Sequence, residues 1–185
     1  KIAVIILAAG LGKRMRSPKA KVLHEIQGRP MLAYVIDVAQ AIAGRSVIVV
    51  VGNQAEAVRR AVSGAAAVRY AYQDRQLGTG HAVLCALPQL PDDCEQVVVL
   101  CGDIPLLTAA TLKGLVQDHL AAGRDATLLA VELEEPQGYG RVLLNDHHQV
   151  CGIIEEADAS AGQRAIRLIN TGIYCVTRQF LSDAL

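Results

Sequence analysis

Three short segments concentrate the side chains able to handle phosphate. The first, "LAAGLGKRMRSPKAKVLH" (residues 7–24), sets two glycines and six basic side chains, counting His24, directly after an apolar run. Bare backbone N–H groups at such a turn approach a phosphate closely, and nearby cations balance its charge. Arg14, Lys19 and Lys21 cluster around the turn, and Pro18 stiffens it. The second segment, "QDRQLGTGHAV", brings another glycine pair, Gly78 and Gly80. The third, "CGDIPLL", offers Asp103 between Gly102 and Pro105, a hard oxygen ligand of the kind Mg2+ takes.

Two common phosphate loops are excluded. A dinucleotide fingerprint needs G-x-G-x-x-G, but Met15 stands where the third glycine belongs; a P-loop fails because Leu7 and Arg14 occupy its first glycine and its hydroxyl positions. Two glycines alone are equally compatible with an ordinary strand-to-helix turn bearing solvated lysines.

The elements that must position these residues are legible as hydrophobic patterns. The runs "IAVIILAAG", "SVIVVVG", "AVRYAY", "QVVVLCGD" and "ATLLAVEL" read as strands. "MLAYVIDVAQAI" after Pro30, "NQAEAVRRAV" capped by Asn53, "TGHAVLCAL" stopped by Pro88 and "TAATLKGLVQDHLA" capped by Thr108 read as the helices between them. Continuous Val/Ile strands separated by helices predict a mostly parallel α/β sheet covered on both faces. "RVLLNDHHQVCGIIEE" predicts an antiparallel hairpin, "RLINTGIYCV" one more strand and "RQFLSDAL" a last helix. In such a sheet ligands gather at the carboxyl ends of the strands, where all three segments fall.

Composition narrows the class. The chain has 185 residues, enough for one domain with a substantial core. It is 52% hydrophobic and balanced at 18 basic and 18 acidic residues, which excludes a disordered chain and disfavours a nucleic-acid binder. No apolar run is long enough to span a membrane, and the opening strand is not a signal peptide. Five cysteines without a C-x-x-C pair suggest neither a disulfide framework nor a zinc ribbon; most read as small buried hydrophobes in a reducing cytoplasm.

"LAAGLGKRM" resembles the L-A-A-G-x-G-x-R-M signature of the sugar-nucleotidyltransferases. The ordered set "KVLHEIQGRPML", "QDRQLGTGHAV", "CGDIPLL", "PQGYGRV", "GIIEEADA" and "INTGIY" is similar to the uridylyltransferase (pyrophosphorylase) domains of the bifunctional bacterial uridylyltransferase/acetyltransferase enzymes that make UDP-N-acetylglucosamine. The resemblance implies a Rossmann-like nucleotidyltransferase fold over residues 1–185, C-terminally incomplete and without the acetyltransferase β-helix. It implies Mg2+-dependent transfer of a uridylyl group from UTP to N-acetylglucosamine 1-phosphate, in the cytoplasm, for cell-wall peptidoglycan synthesis. Homo-oligomerisation would run through the absent C-terminal domain; neither nucleic acid nor membrane is a partner. Alternatives are another sugar phosphate or nucleotide, or a non-catalytic regulatory module.

Carried over residue by residue, Arg14 and Lys21 are the catalytic cations. Leu7, Ala8, Ala9, Gly10 and Gly12 bind the nucleotide phosphates, while Gln73, Gly78 and Thr79 take the base and ribose. Gly140, Glu155 and Asn170, with Thr171 beside them, contact the sugar, and Asp103 holds the metal. Glu156 competes with Glu155 for register. Asp146, His147 and His148 read as a solvated hairpin turn, and His81 as a helix-start residue without chemistry. Three departures stand out. Ala20 precedes the lysine where the family has proline, Cys101 replaces a usual tyrosine or serine, and a second metal ligand lies in a segment outside this chain.

Overall fold

The computed structural model describes residues 1–10, 12, 15, 17–52, 54–64 and 67–185. The chain runs β1 (Ile2–Leu7), β2 (Glu25–Ile26), β3 (Arg29–Pro30), α1 (Met31–Ala43), β4 (Val47–Val51), α2 (Ala55–Ala61), β5 (Arg69–Tyr72), α3 (Thr79–Ala86), β6 (Gln96–Cys101) and α4 (Ala109–Ala122). It continues through β7 (Ala126–Glu132), β8 (Arg141–Leu144), β9 (Val150–Ile154), α5 (Ala161–Arg164), β10 (Leu168–Thr177) and α6 (Arg178–Ala184). Two compact units result, residues 1–127 with 174–185, and residues 128–173.

In the first unit the parallel order is β5-β4-β1-β6, with residues 174–177 of β10 antiparallel to β6. β1 pairs with β4 from Val4↔Val47 to Leu7↔Val50, and with β6 from Ile2↔Gln96 to Leu7↔Cys101. Strands flanked on both sides and covered on both faces tolerate only apolar side chains. Ala3–Ile6 and Val47–Val51 are accordingly fully buried. Ala3, Ile5, Ile48 and Val50 pack with Ala82, Val83 and Ala86 of α3. Val4 and Ile6 turn to the opposite face, because side chains alternate along a strand; α1 packs against β1, β4 and α4.

The crossovers step from β1 to β4 to β5 on one side, then return to β6 on the other. The strand order therefore reverses between β1 and β6, the place where open α/β sheets form a ligand crevice. The loops after Leu7 and Cys101 leave the sheet there.

In the second unit β8 and β9 form the expected hairpin, Arg141↔Ile154 to Leu143↔Gly152, with a bulge before Leu144↔Val150. β8 pairs with β10 at Ile169↔Arg141. The hairpin turn is held by Asn145, whose Oδ1 accepts from the N–H groups of His147 (3.0 Å) and Gln149 (2.9 Å).

Local expectations fare unequally. The Thr108 hydroxyl accepts from Thr111 N–H and caps α4. The cap assigned to Asn53 lies outside the described residues. Pro88 does not end the helical path abruptly; α3 stops at Ala86 and a 3-10 turn carries Leu87–Gln89. The cysteines are all free, but only Cys94 and Cys175 are buried and Cys151 is exposed, since it lies on an outer strand of the hairpin. Among the described residues no helix is long and apolar enough to cross a membrane.

His119 of α4 is buried, 1% exposed, between Thr127 Oγ1 (2.9 Å from Nδ1) and Gln96 Oε1 (3.0 Å from Nε2). Burial first, and the charge of Arg124 second, hold its pKa below the usual histidine range, against an opposing pull from Asp125. The unfolded chain takes up this proton first, near pH 6.5. The stabilisation is therefore complete above about pH 6.5 and is lost as pH falls toward the folded-state pKa. Urea titrations at pH 7.5 and 5.5 should show a smaller loss of midpoint in His119→Asn than in the unsubstituted protein; equal losses would contradict this reading.

Candidate functional site

The end of β1 is fixed by both neighbours. Ala8 N–H donates to Val50 O and Gly102 N–H donates to Leu7 O, each at 2.9 Å. The small residues here are steric requirements. A Cβ on Gly52 would meet Ala9 O at 3.0 Å, and one on Gly102 would meet Val22 Cγ1 at 3.1 Å and Leu7 O at 3.2 Å. Gly12 adopts a left-handed φ of 57°, and a Cβ there would meet Lys21 Cβ at 3.0 Å. The turn thus folds back until Gly12 touches the base of the lysine.

These loops surround a cavity of about 470 Å³. Leu7, Ala8, Ala9, Gly10 and Gly12, from the end of β1 and the turn after it, form one wall. Lys21 and Asp103 face it from the loops after β1 and β6, while Gln73, Gly78 and Thr79 close the end nearest β5. Lys19 pairs instead with Glu25 at 3.0 Å. Leu11 and Arg14 lie outside the described residues.

Lys21 Nζ and the Asp103 carboxylate form an ion pair inside the cavity. Both stay partly exposed, with side-chain accessibilities of 42% and 23%. Cys101 lines the cavity beside them. Burial pushes its thiol up to about 11, and the Asp103 charge adds to this while Lys21 opposes it.

The turn between β5 and α3 is internally bonded. Gln73 is buried, and its Nε2 donates to Gly78 O (3.0 Å) and lies 3.1 Å from His81 Nδ1. Gly78 takes φ 102° where the chain turns into α3, a conformation closed to residues with a Cβ. Val22, Gln76 and Ala82 also line the cavity. Gln76 Nε2 donates to Ala9 O at 2.6 Å and ties the turn before α3 to the loop after β1. Gln76 sits in the middle of "QDRQLGTG", but only its long-range bond sets it apart from its neighbours.

The second unit gathers Gly140, Glu155 and Asn170. A Cβ on Gly140 would meet Glu155 Oε1 at 3.0 Å, and Asn170 N–H donates to Gly140 O at 2.8 Å. Thr171 is turned inward, its hydroxyl donating to Leu129 O at 2.5 Å. The two neighbouring glutamates are set apart by Arg141, which is 1% exposed. Its guanidinium donates to the carbonyls of Ile166 (2.9 Å), Arg164 (3.2 Å) and Tyr139, and pairs with Glu156 Oε2 at 2.8 Å. The hydrogen bond from Arg141 holds the Glu156 carboxyl below the usual carboxylate range. Glu156 is therefore the counterion of a buried arginine, and Glu155 is the one set against Gly140.

The family model of the MobA-like NTP transferase domain matches residues 4–170. The chain belongs to this family. As a MobA-like NTP transferase domain it is 46% identical over 185 residues to the bifunctional protein GlmU of Heliobacterium modesticaldum, covering 100% of this chain and 40% of that protein. It is 54% identical over 171 residues to GlmU of Cupriavidus pinatubonensis, covering 92% and 37%. The chain spans about 40% of the length of these relatives. Its fold is shared with HddC from Yersinia pseudotuberculosis, solved also in complex with GMP-PN (TM-scores 0.74 and 0.75, 21% identity, 98% of this chain and 79% of that one). It is shared too with a putative glucose-1-phosphate thymidylyltransferase from Bacillus anthracis in complex with a sucrose (TM-score 0.74, 20% identity, 98% and 74%).

Replacing Arg141 by Met removes the donors of three backbone carbonyls and leaves Glu156 without its main partner. The unfolding free energy should fall by about 3 kcal/mol, the sum of several buried hydrogen bonds. Chemical denaturation measures it, and a loss under about 1 kcal/mol would show that water replaces the guanidinium without penalty.

Proposed function

We propose that this domain catalyses attack of N-acetylglucosamine 1-phosphate on the α-phosphorus of UTP. A phosphate oxygen of the sugar phosphate forms the new P–O bond, the α–β bridging bond breaks, and pyrophosphate leaves, yielding UDP-N-acetylglucosamine. The observation that carries this reading is the convergence of a backbone phosphate loop, Lys21 and Asp103 on one cavity at the point where strand order reverses. The substrate assignment rests on "LGTGHA", "GYGR" and "INTG" together.

The nucleophile is already anionic, so no protein base is needed. The barrier lies in bringing two polyanions together and stabilising charge on the transferring group. Positioning contributes several kcal/mol, about 7–11 in ideal cases. Backbone N–H groups of the Leu7–Gly12 turn receive the nucleotide phosphates, and Arg14 is assigned to the β- and γ-phosphates. Lys21 exchanges the Asp103 carboxylate for the α-phosphate. In the second unit, Glu155 and Asn170 bind the N-acetylglucosamine moiety, Gly140 leaving room for the Glu155 carboxylate.

Asp103 fits a Mg2+ ligand. The described residues hold no cluster of three side chains able to cage a metal, and Mg2+ is commonly held by one or two carboxylates with substrate phosphates and water completing the shell. Mg2+ so held would neutralise charge on the phosphates. Free thiols throughout suit a reducing cytoplasm, where the product would serve cell-wall peptidoglycan synthesis.

Asp103→Asn should lower kcat of the full-length protein at least about 100-fold, the scale of losing one electrostatic stabiliser; near-normal turnover would place the metal elsewhere. Glu155→Ala should raise KM for N-acetylglucosamine 1-phosphate and leave that for UTP nearly unchanged. The loss in kcat/KM should be about 1.5–3 kcal/mol, as for a hydrogen bond to a charged group. Equal turnover of glucose 1-phosphate by the unsubstituted protein would sink the sugar assignment alone.

A further inference from the structure

Gln54 stands immediately before α2, where Asn, Asp or Ser ordinarily caps the helix with its side chain. Its side chain makes no such cap. It reaches 34 residues back along the sequence, where its Oε1 accepts from Ala20 N–H at 2.9 Å and its Nε2 donates to Pro18 O at 2.6 Å. One primary amide meets a donor and an acceptor two residues apart, as a neighbouring strand would.

The residue so held directly precedes Lys21. Ala20 is buried, and its N–H has Gln54 as acceptor. The clamp itself is anchored to the sheet. Gly52 at the end of β4 is wedged against Ala9, and Gln54 O accepts from Val58 N–H at 2.9 Å inside α2. Among the further restraints on the segment, the Lys19–Glu25 pair is exposed and contributes little. A lysine ammonium on a four-carbon stem is a mobile charge unless its backbone is fixed. We propose that Gln54 is a positioning residue for the transfer reaction, holding Pro18 and Ala20 so that Lys21 is presented to the cavity in register with Asp103. This rests on the nucleotidyl-transfer reading above.

Gln54→Glu and Gln54→Leu test it in the full-length protein. An ionised glutamate still accepts from Ala20 N–H but sets its second oxygen against the Pro18 carbonyl. A protonated one restores the donor. In Gln54→Glu, kcat should lie about tenfold below the unsubstituted enzyme at pH 8.5, the loss of about one hydrogen bond. The gap should narrow to about threefold by pH 6, with KM for UTP changed less than about twofold. Gln54→Leu should show the tenfold deficit at every pH. Parallel pH profiles for Gln54→Glu and the unsubstituted enzyme would overturn the proposal. So would a lowered Tm with unchanged kcat, because Gln54 would then only satisfy the Ala20 N–H. Absence of turnover by the unsubstituted enzyme with UTP and any sugar phosphate would strike the functional reading instead. Amide hydrogen exchange then decides the clamp: faster exchange at Ala20 and Lys21 in Gln54→Leu upholds it, and unchanged exchange removes it.

Discussion

The site depends on the ladder that pins the carboxyl end of β1 from both sides. Ala8 is bonded to β4 and Leu7 to the residue after β6, so the chain leaves β1 toward the cavity from a point with little freedom. The cost is compositional: the strand and both neighbours must be apolar, and the exits must be small. Ala8, Ala9, Gly52 and Gly102 meet that demand.

Charge at the site is balanced within the protein. Lys21 and Asp103 neutralise one another across the cavity, so neither is an isolated ion facing an apolar wall. The same pairing keeps both groups at the cavity, each still partly exposed. The second unit uses charge differently. Arg141 is sealed away and spends its donors on backbone carbonyls, so its work is architectural.

The strands and long helices were legible because burial on both faces forces continuous apolar runs, which a sequence displays openly. Shorter elements were not. The two-residue arms β2 and β3 carry too few side chains to show a period, although Gln27 and Gly28 turn between them with positive φ. The four-residue α5 is announced by a capping box from Ser160 to Gln163, a spacing visible in "SAGQ". The placement of Lys21, Asp103 and Gly140 against Glu155 follows motifs quoted from the sequence. The tasks of Gln54, Gln76 and Arg141 do not, because each joins segments distant in the chain, and side-chain type carries no record of such a partner. The Glu155/Glu156 register shows the limit well, since two identical neighbours differ only in which one meets a buried guanidinium.

The inward-turned amide of Gln73 sets a thermodynamic condition on any ligand that would use it. Its nitrogen already serves Gly78 and His81. A nucleobase that uses this amide as a donor must therefore exchange partners with the protein; it does not fill a vacant valence. The net gain of such an exchange is a small difference between similar bonds. Discrimination then comes from how well the incoming edge fits the turn, more than from how strongly it binds.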